Sequence, residues 1–100
     1  TLSSSSAASD VYKRQVHLGA EICAECTWGS DIVTAAALHF AASTPQANLM
    51  NTCDLSSYVA PRLCKDGPVR KDGRIKPPEG LGLGITPDLD ILGPSILEIG

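Results

Sequence analysis

The sequence predicts an α/β fold in which one strand and the helix after it belong to a larger β/α barrel, followed by a tail built on a β-hairpin. Three observations lead to this prediction. Residues 20–25 form a short extended run that ends in a carboxylate, residues 32–42 are rich in alanine and leucine, and Asp72-Gly73 separates two short extended runs. Asp-Gly is a strong hairpin signal, because both residues accept the positive φ that the turn needs.

The strand predicted over residues 20–25 has two different faces. Side chains alternate along a strand, so Ile22 and Ala24 share one face, and Cys23 and Glu25 share the other. An apolar outward face under covering helices and a carboxylate at the carboxyl end suit a barrel strand. In such barrels the chemistry lies where the strands end.

A helix is predicted over residues 32–42. Ser30 or Asp31 can cap its first turn, because a short oxygen side chain accepts a hydrogen bond from a free backbone N–H. Pro45 ends the helix. The run leaves little polar surface, so we expect it to be packed on both sides. Residues 48–53 are a further candidate strand.

Composition excludes several classes of protein. The chain has 100 residues, of which 43% are hydrophobic and 4% aromatic, and its net charge is −3. Nucleic-acid binding needs a clustered basic footprint, and a membrane helix needs ~18 consecutive apolar residues; neither is present. We expect a cytoplasmic protein with too few large side chains to close a core alone.

Residues 1–15 differ from the rest of the chain, since they begin without Met and open with a Ser/Ala run. Residues 10–15 resemble the translation of a transposon end used in sequencing-library adapters, and residues 5–9 resemble the adapter bases just upstream. We therefore expect a non-native, disordered leader; a natural Ser-rich tail is the alternative. The natural part then divides into residues 16–66, with the strand and helix, and residues 67–100, with the hairpin and a glycine-rich tail.

The four cysteines favour small reduced thiols over a metal site. Cys23 and Cys26 form a CxxC, but zinc ribbons need a second such pair, and Cys53 and Cys64 are too far apart in sequence to supply it. On a strand, positions 23 and 26 also face opposite ways. The glycines at 80–84 lack the lysine of a phosphate loop, so we interpret them as tight turns.

Glu25 and Trp28 are the best candidate site. A carboxyl group at the mouth of a barrel strand can donate a hydrogen bond to a charged substrate oxygen. A nearby Trp offers a flat wall, or a cation–π face for an amine. The alternative is a solvated acid beside a Trp that only packs.

The ordered set of motifs resembles the end of the mandelate racemase/muconate lactonizing enzymes of the enolase superfamily. The motifs are residues 24–31 (AECTWGSD), the Ala-rich helix, and residues 71–84 (KDGRIKPPEGLGLG). The resemblance covers about residues 16–100. Within the family, the Glu-x-Thr-Trp-Gly run is most similar to enzymes that act on hydroxyproline and proline-betaine-type substrates.

The resemblance implies a magnesium-dependent racemase, epimerase or dehydratase that removes the proton next to a substrate carboxylate. By this resemblance, residues 20–25 would be the last barrel strand and residues 31–43 the helix after it. The hairpin and the glycine-rich tail would belong to a capping domain. Glu25 matches the late-strand acid that bonds the substrate carboxylate, and Trp28 is similar to a substrate-contacting aromatic. The Mg²⁺ ligands and the bases lie on strands absent from this chain.

This interpretation implies a small-molecule carboxylate as substrate, no bound metal or activity in the chain by itself, and a parent enzyme that is a homo-oligomer. Two alternatives remain open. One is a small binding module held by its cysteines, with zinc or disulfides. The other is a structural or interaction fragment without chemistry.

Overall fold

The computed structural model describes residues 4–58 and 61–100. Its elements in chain order are helix α1 (Ser4–His17), strand β1 (Ile22–Ala24), helix α2 (Ser30–Ser43), strand β2 (Leu49–Thr52), a 3-10 turn (Leu55–Tyr58) and the short helix α3 (Leu89–Leu92). Within these ranges, every helix is too short or too polar to cross a bilayer.

The centre of the fold is a parallel β1-α2-β2 unit, which confirms the predicted α/β class. Ile22 pairs with Leu49 and Ala24 with Thr52, and α2 makes the crossover that parallel strands need. The candidate strand at residues 48–53 is confirmed as β2. The resemblance implied that residues 20–25 are the last barrel strand. In the structure, β2 follows them as a further parallel strand. The N–H of Cys53 donates to the carbonyl of Ala24 at 3.1 Å and extends the pairing beyond β2.

Helix α2 confirms the predicted helix and begins two residues earlier. The hydroxyl of Ser30 accepts a hydrogen bond from the N–H of Ile32 at 3.4 Å, which is a weak cap. The helix ends at Ser43, before Pro45. Its covered side buries Thr34, Ala35, Leu38 and Ala41. Val33 and Phe40 on its other side are 37% and 38% exposed, so within the described residues α2 is packed on one side.

The amino-terminal residues differ from the expected disordered leader. Residues 4–17 form α1, and the Tyr12 ring lies 4.8 Å from the Phe40 ring. The Tyr12 hydroxyl also donates to Thr44 Oγ1 at 3.1 Å. Good helix formers (Ala, Lys, Arg, Gln) and this aromatic contact explain the helix. Residues 1–3 lie outside the described part, and the non-native origin of residues 1–15 stays a prediction.

The predicted hairpin is present as a tight turn without long strands. Asp72 and Gly73 have φ values of 51° and 72°. Lys71 and Arg74 exchange two backbone hydrogen bonds of 2.7 and 2.9 Å. This bridge is isolated and does not continue into a ladder of two strands. Whether the turn belongs to a capping domain stays a prediction, as does the boundary between residues 66 and 67.

The carboxy-terminal segment is tied back to the central unit by backbone groups. The N–H of Asp88 donates to the carbonyl of Leu63 at 2.7 Å, and the Asp66 carboxylate accepts the N–H of Thr86 at 2.9 Å. His39 Nε2 on α2 hydrogen-bonds the carbonyl of Leu83 at 3.0 Å. The glycine-rich segment is therefore a structural turn, as predicted. It needs Gly84, where a Cβ would lie 2.7 Å from the Glu79 carbonyl oxygen.

The core of the described residues is small. Its buried apolar side chains are Ala24, Cys26, Ala35, Leu38, Ala41 and Cys64. The radius of gyration is 15.2 Å, whereas a compact domain of 100 residues has about 13 Å. The fold is thus open, with few large side chains buried.

We expect the chain to unfold without a sharp thermal transition, because so little apolar area holds its parts together. Far-UV circular dichroism and Trp28 fluorescence, followed on heating, should give broad curves with different midpoints. A single steep, reversible transition in residues 16–100 would contradict this.

Acid should release the tail. The hydrogen bond from the Thr86 N–H lowers the pKa of Asp66 below its usual value of 3.8. A carboxyl group whose pKa is lower in the folded chain than in the unfolded chain stabilises the fold at pH values above its unfolded pKa. This stabilisation is lost as the pH falls through the pKa of the folded chain. The Thr86 amide resonance should therefore titrate with a midpoint below 3.8. Asp66→Asn should abolish the titration; a midpoint at or above 3.8 would refute the contact.

Candidate functional site

The turn after β1 is strained at three residues that are not glycine. Thr27, Trp28 and Ser30 have φ values of 47°, 63° and 71°. This left-handed region is uncommon for residues with a Cβ and is a genuine outlier for a β-branched residue such as Thr27. Strain of this kind persists only where the surroundings impose it, and it clusters at functional sites. The turn is therefore the first candidate for function.

A buried carboxylate holds the carboxyl end of this turn. Asp31 is 3% exposed, and its Oδ1 accepts two hydrogen bonds from Arg62, at 3.1 and 2.7 Å. Its Oδ2 accepts the backbone N–H groups of Leu63 and Cys64, at 3.0 and 3.2 Å. Four donors thus surround the Asp31 carboxylate. Asp31 therefore holds the segment of residues 62–64 in place and does not cap α2. Sequence reasoning missed this, because Arg62 is 31 residues away and no local pattern links the two.

The opposite side of the turn rests on two cysteines. Cys26 is fully buried, and its Sγ lies 3.7 Å from that of Cys53. The N–H of Leu55 donates to Cys26 Sγ, and the N–H of Cys26 donates to Cys53 Sγ, both at 3.2 Å. Cys26 thus links the ends of both strands, a pairing that the sequence analysis did not propose.

The two thiols differ in acidity. Burial raises the pKa of Cys26, but hydrogen bonds from the Trp28 N–H, the Cys53 thiol and the Leu55 N–H outweigh it, and the net pKa falls below 9.0. Burial raises the pKa of Cys53 above 9.0, with a further contribution from the neighbouring Cys26. Cys26 is therefore the more acidic thiol of the pair.

The predicted faces of β1 are confirmed. Ala24 is buried and Ile22 half-buried, whereas Cys23 and Glu25 are exposed. Cys23 and Cys26 accordingly differ in environment, and the Cys23 thiol donates to Asn51 Oδ1 at 2.6 Å on the exposed face. All four cysteines are free thiols in the structure.

Glu25 and Trp28 do not line the same concavity in the described residues. Glu25 is exposed and borders a groove against Val33 and Phe40 on α2. Trp28 is 59% exposed and borders a shallow cavity of about 180 Å³ beside Arg62. The joint role of Glu25 and Trp28 in one site therefore stays a prediction.

The end of β2 carries polar groups that sequence reasoning did not single out. Asp54 is 8% exposed, and its Oδ1 accepts a hydrogen bond from Arg70 at 3.0 Å. Arg70 and Asp54 therefore form an ion pair. Asp54 Oδ2 and Thr52 Oγ1 are buried without a partner in the part of the chain that the structure describes.

The described residues do not fit a magnesium site. Nowhere in residues 4–58 and 61–100 do three or more His, Cys, Asp or Glu side chains come together in a way that could hold a metal ion. Mg²⁺ needs several oxygen ligands in octahedral geometry. The described part of this chain therefore does not supply a set of metal ligands by itself.

A parallel β-α-β unit with a strained, polar turn at the carboxyl end of its first strand is one repeat of an α/β enzyme domain, where sites form at strand ends. The family model described as enolase C-terminal domain-like matches residues 6–91. The chain belongs to this family, as the resemblance noted in the sequence implied.

Similar proteins agree with this assignment. The chain is 43% identical, over 75 residues, to a cis-3-hydroxy-L-proline dehydratase from Roseibium aggregatum, a match that covers 75% of this chain and 20% of that protein. Two crystal structures from Roseovarius nubinhibens ISM also match. One is a mandelate racemase/muconate lactonizing enzyme (TM-score 0.80, 35% identity) and the other a member of the enolase superfamily (0.81, 31%). Each match covers 88% of this chain and 24% of the other. The chain thus spans about a fifth to a quarter of these relatives.

Removing the Asp31 carboxylate should free the segment that it holds. Each hydrogen bond to a charged group contributes about 1.5–3 kcal/mol, so Asp31→Ala should speed hydrogen exchange of the Leu63 and Cys64 amides by about 10–100-fold. Arg62→Gln is the matched control. It leaves both backbone donors paired with Asp31 and should change these two amides much less. If both variants speeded exchange of these two amides equally, the hydrogen bonds from the Leu63 and Cys64 N–H groups to Asp31 would not stabilise the segment by themselves.

Proposed function

We propose that this chain is part of an enolase-superfamily dehydratase that removes water from a hydroxyproline. The observation that carries the proposal is the 43% identity to a cis-3-hydroxy-L-proline dehydratase over 75 residues, a length that takes in most of the β1-α2-β2 region. The left-handed backbone at Thr27 and Trp28 supports a functional role for the turn.

The chemistry is loss of a proton from the carbon next to the carboxylate and loss of hydroxide from the neighbouring carbon. A general base takes the proton, and the hydroxyl leaves as water after it gains a proton. We place the base outside this chain. Mg²⁺, which the superfamily resemblance implies, would stabilise the negative charge that develops on the carboxylate oxygens; its ligands too would lie outside this chain.

Trp28 is proposed to face the ring nitrogen of the substrate. A prolyl ring carries a secondary ammonium, and the face of a Trp attracts such a cation by about 0.5–2 kcal/mol. Trp28 is 59% exposed, although apolar rings favour burial. Its turn is anchored from below by Asp31, so the ring is held on a fixed backbone. Both observations support a ligand-facing position.

Glu25 is proposed to hydrogen-bond the substrate carboxylate. It lies directly after β1, at the strand end where such domains place their chemistry. Because Glu25 and Trp28 border different concavities, the proposal requires the rest of the enzyme to close one site around both. The substrate is then a small carboxylate, and a homo-oligomeric enzyme stays a prediction.

A chimaera tests the proposal. Residues 16–100 of this chain would replace the corresponding segment of the Roseibium aggregatum dehydratase, and turnover of cis-3-hydroxy-L-proline would be measured. We expect dehydration within about tenfold of the parent. Trp28→Ala should lower kcat/KM about 2–30-fold, which corresponds to the loss of a cation–π contact. Trp28→Phe should keep most of the kcat/KM of the chimaera, because Phe also offers an aromatic face to a cation.

Leu81→Ala is the matched control, because this side chain is 99% exposed and lies outside the turn; it should leave the rate unchanged. A folded chimaera that epimerises the substrate without losing water would replace the dehydratase proposal with a racemase. If the Trp28→Ala chimaera were as active as the unsubstituted chimaera, Trp28 would have no role in substrate binding.

A further inference from the structure

Two thiols from different strands meet beside the candidate site. Cys26 follows β1 and Cys53 follows β2, and their sulfur atoms are 3.7 Å apart. Twenty-seven residues separate them in sequence, and the parallel pairing of the strands brings them together. Neither thiol has a role in the proposed dehydration.

The surroundings of the pair favour charge on Cys26. The backbone N–H groups of Trp28 and Leu55 both hydrogen-bond Cys26 Sγ, whereas Cys53 Sγ accepts the N–H of Cys26. Hydrogen bonds to a charged group stabilise its charged form. Of the two, Cys26 has the lower pKa. Cys26 is fully buried, whereas Cys53 is partly exposed. The pair thus combines a buried nucleophile with an accessible partner.

We propose that Cys26 and Cys53 form a redox-sensitive pair that a peroxide converts to a disulfide. This cross-link would join the carboxyl ends of β1 and β2 directly beneath the strained turn that carries Trp28. The proposal concerns this chain by itself and does not depend on the dehydratase assignment.

The reaction has two balanced steps. The Cys53 thiol passes its proton to the Cys26 thiolate along the hydrogen bond between them, and the Cys53 thiolate attacks one peroxide oxygen. The O–O bond breaks, a sulfenic acid forms on Cys53, and the departing hydroxide takes the proton back from Cys26 to form one water, which leaves Cys26 as a thiolate. The Cys26 thiolate then attacks the Cys53 sulfur, the S–O bond breaks, and hydroxide leaves and is protonated to a second water. Two thiols lose two electrons in total, and one peroxide takes them up.

The geometry selects this pair over the CxxC. Cys23 points to the exposed face of β1 and donates to Asn51, away from Cys26 in the core. In an unfolded chain we expect Cys26 to pair with Cys23 instead of Cys53, because closing the short loop between residues 23 and 26 costs less entropy than closing the long loop between residues 26 and 53. The linkage that forms therefore reports whether the folded arrangement directs the oxidation.

The test uses the 100-residue chain and hydrogen peroxide. Native and urea-unfolded samples would receive one equivalent, followed by alkylation and peptide mapping by mass spectrometry. We expect the 26–53 linkage to dominate in the native sample and the 23–26 linkage in urea. The same mixture of linkages in both samples would overturn the proposal, as would four free thiols in the native sample.

Single variants test the order of the steps. In Cys26→Ser, the Cys53 sulfenic acid has no partner and should be trapped by dimedone. In Cys53→Ser, the buried Cys26 should stay unlabelled. Cys64→Ser is the matched control, since Cys64 is also buried but lies near Asp31; it should form the 26–53 linkage at the normal rate. Dimedone on Cys26 in the Cys53→Ser variant would contradict the proposed order.

Discussion

The buried carboxylate of Asp31 is the constraint on which the rest of the described structure depends. A charge in a nearly dry position is costly unless donors surround it, and Asp31 has four. To supply them, the segment of Arg62–Cys64 must lie across the first turn of α2. The carboxy-terminal segment is then attached to Leu63 through Asp88. One carboxylate thus connects the helix, the loop after the 3-10 turn and the tail.

The same contact explains how a strained turn can persist in so small a fold. The turn is fixed at one end by Cys26, buried against Cys53, and at the other by Asp31. Between these two anchors the backbone has no freedom to relax, so Thr27 and Trp28 stay in the left-handed region. The strain energy, about 1–3 kcal/mol for each such residue, is therefore offset by contacts on both sides. A Trp held in this way can be exposed without being mobile.

Local patterns in the sequence were sufficient for some elements and not for others. The alternation along β1, the Ala-rich run of α2 and the Asp72-Gly73 turn are properties of neighbouring residues, and each was predicted. The contacts of Asp31 with Arg62 and of Cys26 with Cys53 join residues 31 and 27 positions apart. The contact of Cys26 with Cys53 follows from the parallel pairing of β1 and β2, which no local pattern specifies. Strand alternation correctly separated Cys23 from Cys26, but it gave no indication that Cys53 would be the neighbour of Cys26.

The candidate site is incomplete for a reason visible in its own residues. Thr52 Oγ1 and Asp54 Oδ2 are buried without partners among the described residues, and a buried polar group without a hydrogen bond costs about 1–3 kcal/mol. Both lie at the end of β2, which is an edge strand of the two-stranded sheet among the described residues, so another parallel strand could pair with it. A chain that spans a fifth to a quarter of its relatives leaves room for that strand. Partners for Thr52 and Asp54 on it would complete the polar surroundings of the strand ends.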